Sequence, residues 1–233
     1  DELNMDIGDT RALFKAGRCG LIVEWGDPGT LQLDDDASAI KGKMYAISAV
    51  GSKEVLDRAT GKLVPVSAST APYAVDGINY APFAAFGGWA GAVNKGADAK
   101  TKAAAYAFLS YMNQAAQSGV DVTIGATGYN PYRTSQLAST DLWVKAGMPQ
   151  ALADNYLGAI NGAINNLNMA SDMKIPGAQK YTSVVLDTEL ARYLAGEISV
   201  DEALANIEEG WEEVTEDFGR DEQVASQALA LGL

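Results

Sequence analysis

The stretch from Asp9 to Trp25, "DTRALFKAGRCGLIVEW", sets the expectation for the fold. Apolar side chains recur at helical spacing through its first half after Asp9, a capping residue, and the pattern stops at Gly17. "CGLIVEW" is then a short β-rich run with no polar alternation, which predicts a buried strand. Helix, glycine turn and buried strand make an α/β beginning. Cys19 stands in that run as the chain's one cysteine, so it forms no intrachain disulfide and is expected as a small apolar filler.

Outward from there, "DPGTLQLDDDASAIKGKM" reads as a loop. Its Asp34 to Asp36 run lacks the spacing of a calcium loop and is expected as a solvated turn. Between residues 44 and 93 short β-prone runs alternate with turn residues, and "DRATGKLVPV" predicts a hairpin arm with Gly61 supplying a positive φ. Gly87, Gly88 and Trp89 follow, then a helix capped by Asp98 with Ala105, Phe108, Leu109 and Met112 on one face. Pro131 keeps "GYNPYRTSQL" a loop. The last third is mainly helical. One stripe carries Leu186, Leu190, Tyr193 and Leu194 and ends near Gly196. A second helix opens on a Ser199–Glu202 capping box and aligns Val200, Leu204, Ile207, Trp211, Val214 and Phe218. Trp211 and Phe218 are in register with that stripe, so they are read as packing residues; "DEQVASQALALGL" ends the chain as a short helix or a frayed tail.

Composition excludes much chemistry. The 233 residues, 48% of them hydrophobic, can bury a core, and no apolar run reaches the roughly 18 to 20 residues of a membrane helix. "DELNMDIGDTRALF" has neither the basic nor the hydrophobic region of a signal peptide, so a soluble, mature or trimmed chain is expected. A net charge of −13 repels phosphate and anionic lipid, setting nucleic acid aside as a partner, and the lack of a long apolar run sets direct membrane insertion aside. Histidine is absent, which removes Ser-His-Asp and Cys-His nucleophiles and histidine-ligated zinc. With no Walker loop and no G-x-G-x-x-G, the expectation is a non-enzyme without cofactor, metal or catalytic residues; a carboxylate pair acting on glycans is the one enzymatic form left open.

The order of "ALFKAGRCGLIVEWGDPG", a hairpin-rich stretch, "FGGWAGAVNKGADAKTKAAAYAFLSYM", "GYNPYRTSQL" and "IPGAQKYTSVVLDTELARYLAGEISVDEALANIEEGWEEV" resembles the C-terminal half of the extracellular solute-binding proteins of sugar-type ABC transporters, the maltose-binding relatives. The resemblance implies an α/β, periplasmic-binding-protein-like fold: a mixed sheet flanked by helices, a mainly helical C-terminal third, and an incomplete two-lobe architecture. Residues 1–233 would form one α/β unit, with about 1–50 and 130–233 from one lobe and about 75–125 from the other. It implies capture of a small-molecule carbohydrate outside the cytoplasm, in the periplasm, at the cell surface or in an organellar lumen, and delivery to an ABC-transporter permease. Carried over by motif, Trp25 and Asp27 sit where a strand of one lobe meets the cleft, Gly87, Gly88 and Trp89 at the cleft edge of the other, and Tyr129, Tyr132 and Arg133 on the loop after the helix.

The residues alone leave each role open. Indole and phenol faces cover the C–H surface of a sugar, bare glycine backbone admits a ligand, and a guanidinium holds its oxygens. Equally, Trp25 and Trp89 serve a core, Tyr129 and Tyr132 cap one, and Arg133 pairs with a neighbouring carboxylate. Members of that family are longer, so three alternatives stand beside one another: a portion of a longer protein, a structural or interaction subunit within a larger assembly, or a complete binder with a reduced cleft.

Overall fold

In the computed structural model, residues 4–33, 38–81, 89–124, 128–169 and 172–233 are described. The chain divides into two compact units, Ile7–Ala170 and a second comprising Asp1–Asp6 with Ser171–Leu233. About half of the chain is helical and the strands are short and antiparallel, a mixed helix-and-sheet protein.

The larger unit opens with α1 (Ile7–Lys15). Asp9 lies in its first turn rather than at its cap, where a carboxylate still complements the helix dipole. Phe14 from α1 joins Leu31 and Ile40 in a small buried cluster, against which Ile22 and Met44 pack. Residues 21–25 are not the buried strand expected: Leu21 and Val23 are exposed while Ile22, Glu24 and Trp25 are half-buried, and the run pairs with no strand among the described residues. Cys19 is exposed, contrary to its expected role as filler.

A 3-10 turn over Asp27–Gln32 follows. Then come two ribbons, β1 (Gly51–Ser52) with β4 (Asn79–Tyr80), and β2 (Glu54–Asp57) with β3 (Lys62–Pro65). Gly61 takes φ +66° in the hairpin between β2 and β3, as its position predicts. A central mixed sheet flanked by helices is thus not what the described residues build; each ribbon is two strands wide.

The unit continues with α2 (Ala99–Met112), α3 (Ala115–Asp121), α4 (Thr134–Leu137), α5 (Asp141–Lys145) and α6 (Gln150–Ile164). Its main core gathers Val122, Trp143 and Met148 onto Leu152, Ala153, Tyr156 and Leu157 of α6. The Trp143 and Tyr156 rings meet edge to face with centroids 5.9 Å apart. On α2, Ala105, Leu109 and Met112 are half-buried as expected, but Phe108 is exposed, since it lies beyond the edge of the stripe that Leu109 lays against Gly91.

Asp98 caps α2, its Oδ1 accepting from the N–H groups of Lys100 and Thr101 at 2.9 and 3.0 Å. The Thr101 hydroxyl, 2.6 Å from Oδ2, does most to hold this carboxyl below its ordinary value of 3.8, with the backbone N–H groups adding to it. A folded-state pKa below the unfolded one gives a stabilisation that is complete above the unfolded value and lost as the pH falls through the folded one. The Cα chemical shifts of Lys100 to Lys102 are therefore expected to drift toward coil values on acidification below about pH 4. In Asp98→Asn, which keeps the cap without the titration, that drift is expected to vanish; an identical drift in the variant would assign it to another group.

The second unit holds α7 (Ala178–Lys180), a π-helical turn over Tyr181–Leu186, α8 (Asp187–Leu194), α9 (Val200–Phe218) and α10 (Arg220–Leu231). The Ser199–Glu202 capping box forms as read, with Ser199 N–H donating to Glu202 Oε2 at 2.9 Å and Glu202 N–H to Ser199 Oγ at 3.2 Å. The tail is helix rather than fray. The buried face of α9 is Ala203, Ile207, Val214 and Thr215, while Val200 and Leu204 of the expected stripe are exposed. Tyr181 sets that rotation: its hydroxyl lies 2.6 Å from Thr215 Oγ1, and its carbonyl accepts from Trp211 Nε1 at 2.9 Å. Phe218 packs over Gly177, whose missing Cβ would fall 2.6 Å from the ring. On α8, Leu190, Tyr193 and Leu194 are exposed, because α9 meets α8 through polar contacts as well: Asn206 donates to Glu189 at 2.7 Å.

Candidate functional site

The expected site residues that can be placed lie in the larger unit. Gly87 and Gly88, and the side chain of Asp27, fall outside the described residues; the backbone of Asp27 opens the 3-10 turn.

Trp25 ends the run after α1 and is fixed from behind. Arg11 of α1 makes a two-pronged ion pair with Glu24, Nε to Oε2 at 2.5 Å and Nη2 to Oε1 at 3.1 Å, and both side chains are largely buried. Glu24 Oε1 also accepts the N–H of Trp25 at 2.9 Å, and the Arg11 guanidinium stands 5.8 Å from the centroid of the indole. An ion pair with both ends satisfied in this way holds the half-buried Trp25 ring in one orientation. The next residue, Gly26, lies hard against the other expected segment. A Cβ there would be 2.9 Å from Asn130 Oδ1 and 2.9 Å from Ile160 Cδ1, so the loop over residues 128–133 and α6 reach the Trp25–Gly26 backbone only because that Cβ is missing.

Trp89 reaches the same loop from a third segment. Its indole N–H donates to the Gly128 carbonyl at 3.3 Å while 72% of the residue stays exposed. Tyr129 and Tyr132, on the loop itself, are exposed as well. Three segments far apart in the chain thus converge, and they bring Trp25, Trp89, Tyr129 and Tyr132 to one region with the Asn130 amide among them.

Arg133 faces the other way. Its Nε donates to Ser118 Oγ at 3.2 Å and its Nη2 to the Asn113 carbonyl, tying the loop to the corner between α2 and α3; a carboxylate partner is not among these contacts. Its guanidinium carbon also stands 5.7 Å from the Tyr132 ring centroid. Gln136, missed in the sequence, completes the anchor. Fully buried, it accepts the N–H groups of Tyr132 and Arg133 at 3.0 and 3.1 Å and donates to Ser118 Oγ at 3.2 Å. Nothing local in "TSQL" announces it, since its partners include a serine 18 positions away. Arg11 and Glu24 were equally silent.

The region offers flat apolar faces, an amide and backbone carbonyls, on supports that are themselves hydrogen-bonded. Such a set can stack against a flat surface and make neutral hydrogen bonds. A shallow open groove of about 470 Å³ lies elsewhere on this unit, lined by residues of α4 and α6 with Ser139 and Thr140, and none of the expected site residues borders it. Comparison with protein-family models, with curated proteins and with solved structures finds no match to this chain.

Proposed function

We propose that the chain captures a carbohydrate outside the cytoplasm for delivery to an ABC-transporter permease. The carrying observation is the convergence of Trp89, most of its indole exposed yet pinned by its N–H to Gly128, with Tyr129 and Tyr132 on one loop beside Trp25–Gly26. Exposed aromatic side chains gathered at one place, unlike ones scattered singly, favour a binding surface. The motif order described above points to the same class of ligand, and Trp25 and Asp27 would stand on the opposite wall from Trp89.

A thermal-shift screen of mono- and oligosaccharides tests this. A cognate sugar at about 100 times its Kd is expected to stabilise the chain by roughly 2.7 kcal/mol. Trp89→Ala and Trp25→Ala are expected to abolish the shift while leaving the unliganded melting temperature within about 2 °C for the exposed Trp89. No response to any sugar, with the aromatic cluster intact, overturns the reading.

A second reading has its own support. Leu21, Val23, Tyr45 and Ile47 are all exposed, which favours a non-transport interaction subunit that works within a larger assembly. It expects no sugar response and a stable complex on size exclusion.

A further inference from the structure

Gly158 stands in the interior of α6, where glycine is a poor helix former. Packing explains the other glycine of that helix but not this one. A Cβ on Gly162 would fall 2.6 Å from Ser48 Oγ, so the approach of Ser48 requires the glycine; a Cβ on Gly158 would meet nothing within 4 Å. The bare backbone at Gly158 instead belongs to the lining of the open groove between α6 and the segment after α4, whose volume of about 470 Å³ is that of a small-molecule site.

Asp154 lies one turn before Gly158 and Asn161 nearly one turn after it, so both stand on the same face of α6 and line the groove with it. Thr140 lines the opposite wall. Gln150 ties the two walls together, its Nε2 donating to Thr140 Oγ1 and to Asp154 Oδ1, each at 2.8 Å. One carboxylate oxygen is thereby fixed, while Asp154 Oδ2 and the Asn161 side-chain amide have no hydrogen-bond partner among the described residues. A carboxylate lines the groove and neither lysine nor arginine does, which disfavours an anion, as does the net charge of −13. A divalent cation needs six or more oxygens, and no group of three His, Cys, Asp or Glu that could hold a metal ion occurs among the described residues. An alkylammonium group donates N–H bonds and accepts none, which suits a carboxylate, a threonine oxygen and an amide oxygen; Leu137 and Leu157 give its carbon body an apolar strip.

We propose that this groove binds a small primary amine in its ammonium form, with the charge on Asp154, the Asn161 amide oxygen beside it, and the carbon chain lying over Gly158 against Leu157. Gln150 is the positioning residue, since it holds the carboxylate and the far wall in one arrangement. The site stands apart from the carbohydrate reading, whose aromatic cluster it does not use.

An amide NMR titration of the full chain at pH 7 tests it, with n-butylamine as the probe, n-butanol as its uncharged twin and sodium chloride at matched ionic strength as the control. Butylamine is expected to move the Thr140, Asp154, Gly158 and Asn161 amides along one saturable curve, half complete in the millimolar range. Butanol is expected to bind at least fivefold more weakly, and Asp154→Asn to weaken butylamine by a similar factor. Gly158→Leu, at a position with open space for a side chain, is expected to keep the melting temperature and remove the shifts. Equal affinity for butanol, an unchanged affinity in Asp154→Asn, or shifts that sodium chloride reproduces as general attraction to an acidic chain would each overturn the proposal. So would the absence of any shift in these four amides at tens of millimolar butylamine.

Discussion

Trp143→Ala is expected to destabilise the larger unit by about 3 to 5 kcal/mol, the largest single loss open to a side chain here. Trp143 is fully buried, the Tyr156 ring lies edge-on to it, and Val122, Met148 and Leu152 belong to the same cluster. Removing the indole forfeits its transfer energy and leaves a void, because α5, which carries it, is one turn long and held by that same cluster. Calorimetry is expected to show the melting temperature falling by roughly 10 °C. Trp143→Phe is expected to cost less than half as much. The indole N–H is buried without a hydrogen-bond partner among the described residues, so phenylalanine removes a group whose burial opposes folding while it keeps most of the apolar contact. A loss for phenylalanine equal to that for alanine would point to a partner for that nitrogen.

Gly29→Ala is expected to be damaging as well, although it adds a single methyl group. The Cβ would lie 2.3 Å from Cδ2 and 2.5 Å from Cε2 of Tyr156. That ring is buried and braced by Trp143, so it does not swing aside; the 3-10 turn must shift instead, at a cost of about 1 to 3 kcal/mol or more. Gly158→Ala serves as the contrast. On α6 a Cβ at that position meets nothing within 4 Å, so alanine is expected to stabilise by up to about 1 kcal/mol through helix propensity alone. Denaturant midpoints of the two variants are expected to move in opposite directions. If both moved upward, the approach of Tyr156 to Gly29 would not hold in solution.

The candidate site was legible only where its signal was a residue type. Trp25, Trp89, Tyr129 and Tyr132 stand out because large aromatics beside glycine or proline in loops are costly to leave uncovered, and the structure brings the segments that carry them together. Arg133 was legible as a charge but not as an anchor, since its partners are Ser118 and the Asn113 carbonyl. Gln136 and the Arg11–Glu24 pair carried no signal: a glutamine or an ion pair becomes structural only when the fold buries it and takes water away.

Features closed within a few residues were written in the sequence itself. The Asp98 cap, the Ser199–Glu202 box, the turn at Gly61 and the helical last third follow from bonds reaching three or four positions along the chain, so neighbouring residues suffice to specify them. Tertiary structure alone decided which face of α9 is buried, that Tyr181 sits in a π turn, and that residues 21–25, strand-like by pattern, join no sheet among the described residues. Burial and pairing are relations between segments, and an apolar run carries the same letters whether or not another strand lies beside it.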